Sequence, residues 1–211
     1  MGYLVGSIPA ASLTVRALAG EDVRRYGTGN PGTSNVYRNF GWAMAILVAA
    51  ETLLQGFLPP LAARLLNLPR GAVVAAGLGA VVGYCWPFFS RFRGGRAVAC
   101  ATGAVASMFL IAPLVALLVY YLFGLATRRI ALGVLVGFAL LPVAVVLVDP
   151  YPADRVAAAV LLGLIALKRL DGIWADPDQI PIKRRIWDRL VFDTVRGQSL
   201  TGVRTHGSGP A

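Results

Sequence analysis

Apolar residues occupy six long blocks of this chain, at 2–19, 41–58, 71–89, 97–126, 130–148 and 153–167, and charge, glycine and hydroxyl residues collect in the short stretches between them. Blocks of this kind predict membrane-spanning helices, each of which needs about 20 predominantly apolar residues. Block 97–126 is too long for one crossing and contains Pro113 near its middle, so it divides into two short helices of opposite direction. Short spans are accommodated by local thinning of the bilayer or by burial within a bundle. The expected fold is all-α, a polytopic integral membrane protein with seven transmembrane helices.

Composition supports this. The 211 residues are 57% hydrophobic and 14% charged, with a mean hydropathy of +0.67, against about 25% charged in a soluble domain. A soluble enzyme is excluded. The 24 glycines and 13 prolines would burden a soluble bundle, whereas helices packed in lipid tolerate them.

The formal charge of +10 would suggest nucleic acid in a soluble chain. Here the placement of the charges gives another reading. Arg24, Arg25 and Arg38 lie in one loop, Arg91, Arg93 and Arg96 in another, Arg128 and Arg129 in a third, and eight more after the last span. Sixteen of the 20 Lys and Arg therefore fall on one side of a seven-span topology, and only Arg64, Arg70 and Arg155 on the other, with Arg16 inside the first span. By the positive-inside rule this puts the N-terminus outside and the C-terminus in the cytoplasm. Six spans would spoil the asymmetry. No nucleic-acid partner is expected; membrane lipids are.

Ala17-Leu18-Ala19 has the look of a signal-peptide cleavage site, but Arg16 follows the apolar core where a signal peptide carries its charge before it. The run before Arg16 is short for a span, which suggests a start upstream of Met1. Cys85 and Cys100 both sit in apolar runs and read as reduced packing residues, with no disulfide or metal site implied. The chain divides into a transmembrane domain over 1–170, a segment over 171–197 whose Ile186, Trp187, Leu190, Val191 and Val195 share one face of an interfacial helix, and a small, polar tail over 198–211, expected to be disordered, with the only histidine, His206.

Two inner loops carry the candidate chemistry. The first reads Gly27-Thr28-Gly29-Asn30-Pro31-Gly32-Thr33-Ser34-Asn35-Val36-Tyr37-Arg38. Its glycines free backbone N–H groups, Thr28, Asn30, Ser34 and Asn35 add neutral partners, and Arg38 adds fixed charge, a composition suited to holding an anion at the start of a helix. The plainer alternative is a polar turn with a helix N-cap at Ser34 or Asn35. The second loop reads Ser90-Arg91-Phe92-Arg93-Gly94-Gly95-Arg96-Ala97 and again opens a helix, whose dipole favours an anion. For Arg91 and Arg93 a purely topological role is an equal alternative. Two phosphate-type sites on one face point to two phosphate-bearing substrates, at least one delivered by the lipid phase.

Tyr-Leu-Val-Gly-Ser-Ile-Pro at 3–9, Asp-Val-Arg at 22–24 leading into the first loop, and Trp-Pro-Phe-Phe at 86–89 leading into the second resemble the bacterial acyl-phosphate:glycerol-3-phosphate acyltransferase family, PlsY. The resemblance is sharp over the first hundred residues and extends as hydropathy to about Leu170. It implies transfer of an acyl group from acyl phosphate to the 1-hydroxyl of glycerol 3-phosphate, giving lysophosphatidic acid for phospholipid synthesis, at the cytoplasmic face of a bacterial inner membrane. It implies no cofactor, no metal and no Ser-His-Asp triad, because the leaving phosphate can accept the hydroxyl proton. By motif position, Asn35, Arg38 and Arg96 are the expected catalytic residues, and Thr28, Asn30, Gly32, Ser34, Arg93, Gly94 and Gly95 the substrate-binding ones. The chain departs from the family pattern at Tyr84, where His is usual, at Arg96-Ala97 in place of Lys-Gly, at Glu51 and Gln55 in place of Asp and Lys, and after Leu170, where the third motif is replaced. The alternative is a silent or acceptor-altered relative that binds lipid or a partner through the same scaffold.

Overall fold

The first apolar block does not form one rod. In the computed structural model, which describes residues 1–109, 122–123, 126, 130–148, 151–171, 183 and 186, it splits into α1 (Gly2–Gly6) and α2 (Ala10–Ala19). Pro9 lacks an N–H and clashes with a preceding turn, so the helix stops before it. Two carbonyls at the break accept local backbone N–H groups, Val5 O from Ile8 N at 3.2 Å and Ile8 O from Ala10 N at 2.8 Å, and each takes a second donor from another helix: Gln55 Nε2 donates to Val5 O at 3.1 Å and to Ile8 O at 2.7 Å.

The second block lies in α3 (Thr33–Leu65), which is interrupted at Gly41, where φ is 84° and ψ is 176°. A side chain at Gly41 would meet nothing within 4 Å, so the glycine is required for its left-handed backbone and not for space. The break separates a short amphipathic piece, 33–40, from the apolar rod at the residue where the apolar block begins. That rod runs through Pro59 and Pro60 to Leu65, seven residues beyond the block's end at Leu58.

Next come α4 (Arg70–Cys85), α5 (Val98–Met108), α6 (Ile130–Val148) and α7 (Pro152–Leu170). Among the described residues there are helices and short 3₁₀ turns and no strands. Two helical runs, Thr33–Leu65 and Arg70–Ser90, are long and apolar enough to cross a membrane by themselves. The long fourth block ends its first helix at Met108, five residues before Pro113, with Phe109 already extended at φ −117° and ψ 137°. The second half of that block, the amphipathic segment and the tail fall largely or wholly outside the described residues.

Small residues allow close packing. A Cβ on Gly56 would stand 1.8 Å from Cys100 O, and one on Gly103 2.0 Å from Leu53 O, so α3 and α5 touch backbone to backbone. Val81, Cys85, Cys100, Ala104, Met108, Leu161 and Ile165 belong to the main core among α4, α5 and α7. A second cluster of Val15, Val23, Val36 and Val48 fixes α2 and the first inner loop against α3. Both cysteines are buried and unpaired.

Candidate active site

After α2 the chain turns through a 3₁₀ segment, Val23–Arg25, capped by Asp22, whose carboxylate accepts from Arg24 N at 3.0 Å. The loop that follows is organised by one side chain. Asn35, 3% exposed, accepts through Oδ1 from Thr28 N at 2.9 Å and Asn39 Nδ2 at 3.2 Å, and donates through Nδ2 to Tyr26 O at 2.9 Å and Val23 O at 3.4 Å. Every hydrogen-bonding position of the carboxamide is thereby occupied. Gly27, at φ 54°, lets the chain pass over it, since a Cβ there would sit 2.2 Å from Asn35 Oδ1.

Around this anchor, Thr28 and Ser34 face solvent, and Thr28 Oγ1 accepts from Asn30 N at 3.4 Å. The cap of α3 is Gly32, ahead of both Ser34 and Asn35, and it makes no side-chain hydrogen bond. Among the described residues no capping side chain accepts from the first-turn N–H groups, where the helix dipole is positive. Arg38 is exposed one turn further along.

The second loop folds back on the end of α4. Gly95 N donates to Tyr84 O at 3.3 Å. A Cβ on Gly94 would lie 2.1 Å from Tyr84 O and 2.5 Å from Cys85 O, and one on Gly95 would lie 2.7 Å from Tyr84 Cε1 and 3.1 Å from Asn30 Oδ1. The glycine pair is thus demanded by close approach, and the second glycine lies against the first loop. Arg91 and Arg93 are exposed, Arg96 is half-buried, and Ala97 turns into α5 at φ 57°.

The two loops and the break in the first block enclose a cleft lined by Pro9, Ser12, Arg24, Pro31, Tyr84, Gly94 and Gly95, among others. Ser12 Oγ, Arg24 Nε and Asn30 Oδ1 are buried there or beside it without a hydrogen-bond partner among the described residues. The arrangement puts Gly94 and Gly95 in the cleft lining with Asn30 against Gly95 just outside it, leaves Thr28, Gly32, Ser34, Arg38, Arg93 and Arg96 outside the lining, and sets Asn35 behind the loop as its anchor. Arg24 is the addition: the charge count treats it as one more inner-loop arginine, and only its place in the Asp22-Val23-Arg24 motif signals more. On the far side of Trp86, Lys168 at the end of α7 stands 5.0 Å over the indole and pairs with Asp171 at 2.5 Å, and both Lys168 and Arg169 are buried. Among the described residues no group of three or more His, Cys, Asp and Glu side chains is placed to hold a metal ion.

Residues 1–173 match the sequence profile described as glycerol-3-phosphate acyltransferase. The chain belongs to the glycerol-3-phosphate acyltransferase family. A glycerol-3-phosphate acyltransferase of Rubrobacter xylanophilus is 42% identical over 171 residues, covering 80% of this chain and 84% of the relative. Glycerol-3-phosphate acyltransferase 1 of Deinococcus radiodurans is 36% identical over 174 residues, covering 82% and 87%. Among solved structures, the glycerol 3-phosphate form of PlsY, an integral membrane glycerol 3-phosphate acyltransferase, superposes with a TM-score of 0.75 at 29% identity over 82% of this chain and 86% of that one. The lysophosphatidic acid form gives 0.73 at 26%, over 88% and 95%. Family membership thus agrees with the resemblance carried by the three motifs.

Proposed function

We propose that this chain is a membrane glycerol-3-phosphate acyltransferase that takes its acyl group from an acyl phosphate and gives lysophosphatidic acid, with the cleft between the two glycine loops as its active site. The observation that carries the reading is the contact of Asn30 with Gly95 near the half-buried Arg24, whose Nε is shielded from solvent in the cleft lining. Two anion-type loops that face each other in one cleft suit a reaction between two phosphate-bearing substrates.

The chemistry asks little of the side chains beyond placement and charge. The 1-hydroxyl oxygen attacks the acyl carbon, the bond from that carbon to the phosphate oxygen breaks, and the departing phosphate takes the hydroxyl proton. Arg24 supplies charge inside the cleft, Arg38 and Arg96 at its approaches, and Asn30 with Thr28, Gly32, Ser34, Arg93, Gly94 and Gly95 the loop surfaces that receive the phosphates. Asn35, with its amide spent on the loop, acts as a positioning residue. Arg96 keeps the charge of the family's lysine in a forked, less mobile form.

The topology goes with this reading: seven spans, N-terminus outside, C-terminus and cleft at the cytoplasmic face of a bacterial inner membrane. The charge bias supports it, and so does the gathering of Arg64, Arg70 and Asp154 at the opposite end of the helices from the cleft. The deciding experiment offers palmitoyl phosphate to the purified protein in lipid. Phosphate release is expected only when glycerol 3-phosphate is present; no release at high enzyme concentration, with a conventional family member active alongside, refutes it. A panel of other polyol phosphates tests for an altered acceptor.

A further inference from the structure

Helix α5 is 11 residues long, about 16 Å at 1.5 Å per residue, roughly half of a hydrocarbon core about 30 Å thick. Its last residues, Ser107 and Met108, are buried, and two arginines from the adjoining ends of α3 and α4 reach their carbonyls. Arg64 Nη1 donates to Ser107 O at 2.9 Å and Arg70 Nη2 to Met108 O at 2.6 Å. Both guanidiniums face the negative end of the helix dipole. Arg70 is itself aimed by Asp154, fully buried in the first turn of α7: Nε donates to both carboxylate oxygens at 2.9 and 3.0 Å, and Nη2 to Oδ2 at 2.5 Å. The Tyr151 ring stacks on the same guanidinium at 5.6 Å.

The other end of α5 is the second loop, with Gly95, Arg96 and Ala97 immediately before Val98. Along its length α5 is interlocked by the Gly56–Cys100 and Gly103–Leu53 backbone contacts, and Met108 Sδ fills the space over Gly77. These contacts hold α5 laterally, and the two arginines meet it end-on, where they oppose displacement along its axis. We infer that Arg70, aimed by Asp154, is a positioning residue for the reaction: it fixes the axial seat of α5 and through it the height of Gly95 and Arg96 in the cleft. This rests on the reading of the cleft as the active site. Asp154, Met108 and Tyr151, which Arg70 meets, are not among the cleft-lining residues, and its effect travels through the helix.

The two cysteines report the seat. Cys100 is on α5 and Cys85 on α4, both buried, so a sliding α5 displaces Cys100 and leaves Cys85 in its own helix, whereas general loosening uncovers both. The full-length protein in lipid is treated with N-ethylmaleimide, the modified peptides are quantified by mass spectrometry, and turnover is measured in parallel. Arg70→Met is expected to speed Cys100 labelling by about tenfold with Cys85 unchanged, and to lower kcat by about tenfold. In an Arg96→Ala background the same substitution should lower kcat by less than about twofold, because the two act through one path. If Arg70→Met does not accumulate, Asp154→Asn is read in the same way. Equal acceleration at both cysteines, unchanged Cys100 labelling, or a kcat loss of the same size in both backgrounds overturns the proposal. A wild-type protein that shows no turnover refutes the active-site reading instead, and the labelling comparison still decides whether Arg70 seats α5.

Discussion

Asn30 Oδ1 stands 3.1 Å from where a Cβ on Gly95 would be, across a gap closed on the other side by the Tyr84 ring at 2.7 Å. Sixty-five positions separate the two residues, and neither has meaning as a site without the other. Gly95→Ala should therefore leave the helices in place and wedge the loops apart. The expected outcome is a fall in kcat of about a hundredfold with an unchanged thermal transition, checked by phosphate release beside a melting curve.

Gly94→Ala is expected to behave differently. Its added methyl would press on two backbone carbonyls, those of Tyr84 and Cys85, which cannot swing aside as a side chain can. The loss should appear first in stability, by about 2–4 kcal/mol, and only secondarily in rate among molecules that remain folded.

Asn35→Ala removes the hub of the first loop: Thr28 N loses its acceptor, and Tyr26 O keeps its bond from Gly29 N but loses the one from Asn35. A cost of about 2–3 kcal/mol and loss of most activity are expected. Asn35→Asp should not rescue either, because a carboxylate oxygen would face two carbonyls where the amide now donates. Recovery of activity by Asp would return Asn35 to a direct role in chemistry.

Arg24→Lys keeps a charge in the cleft but loses the fork. If the guanidinium holds a substrate phosphate, KM for one of the two substrates should rise about tenfold while the thermal transition stays put. An unchanged KM for both would remove Arg24 from the site.

Gln55→Leu takes from Val5 O and Ile8 O the second donor that each has beside a backbone N–H, in a setting poor in water. A loss of about 2–3 kcal/mol is expected, read by thermal unfolding in detergent.

Much of this was legible in the residues. The two loops stand out because glycine, hydroxyl and arginine residues crowd into short stretches between apolar blocks, and the start of the second apolar block at Gly41 coincides with the backbone break. What periodicity misses is where buried polar groups find partners across elements. Glu51 and Gln55, four apart on one helix, invite the thought of a broken pair. In the fold Glu51 instead accepts from Thr14 of α2 at 2.7 Å, and Gln55 serves the break at Pro9. Asn35 looks like a substrate ligand in the sequence because its partners are loop backbone, which has no sequence signature. The early end of α5 at Met108 is likewise invisible, since Pro113 is the only breaker in view and the arginines that receive the helix end come from elsewhere in the chain.

The Arg70–Asp154 pair also bears on how the molecule is made. The partners are 84 residues apart, so a chain emerging in order presents Arg70 and the end of α5 well before it presents Asp154. Until α7 is synthesised and inserted, the guanidinium that receives Met108 O is without the Asp154 carboxylate, and the end of α5 is held by Arg64 and by its packing on α3 and α4. The cleft is lined from the first hundred residues, whereas the ion pair at the far end of α5 is completed only when α7 is added.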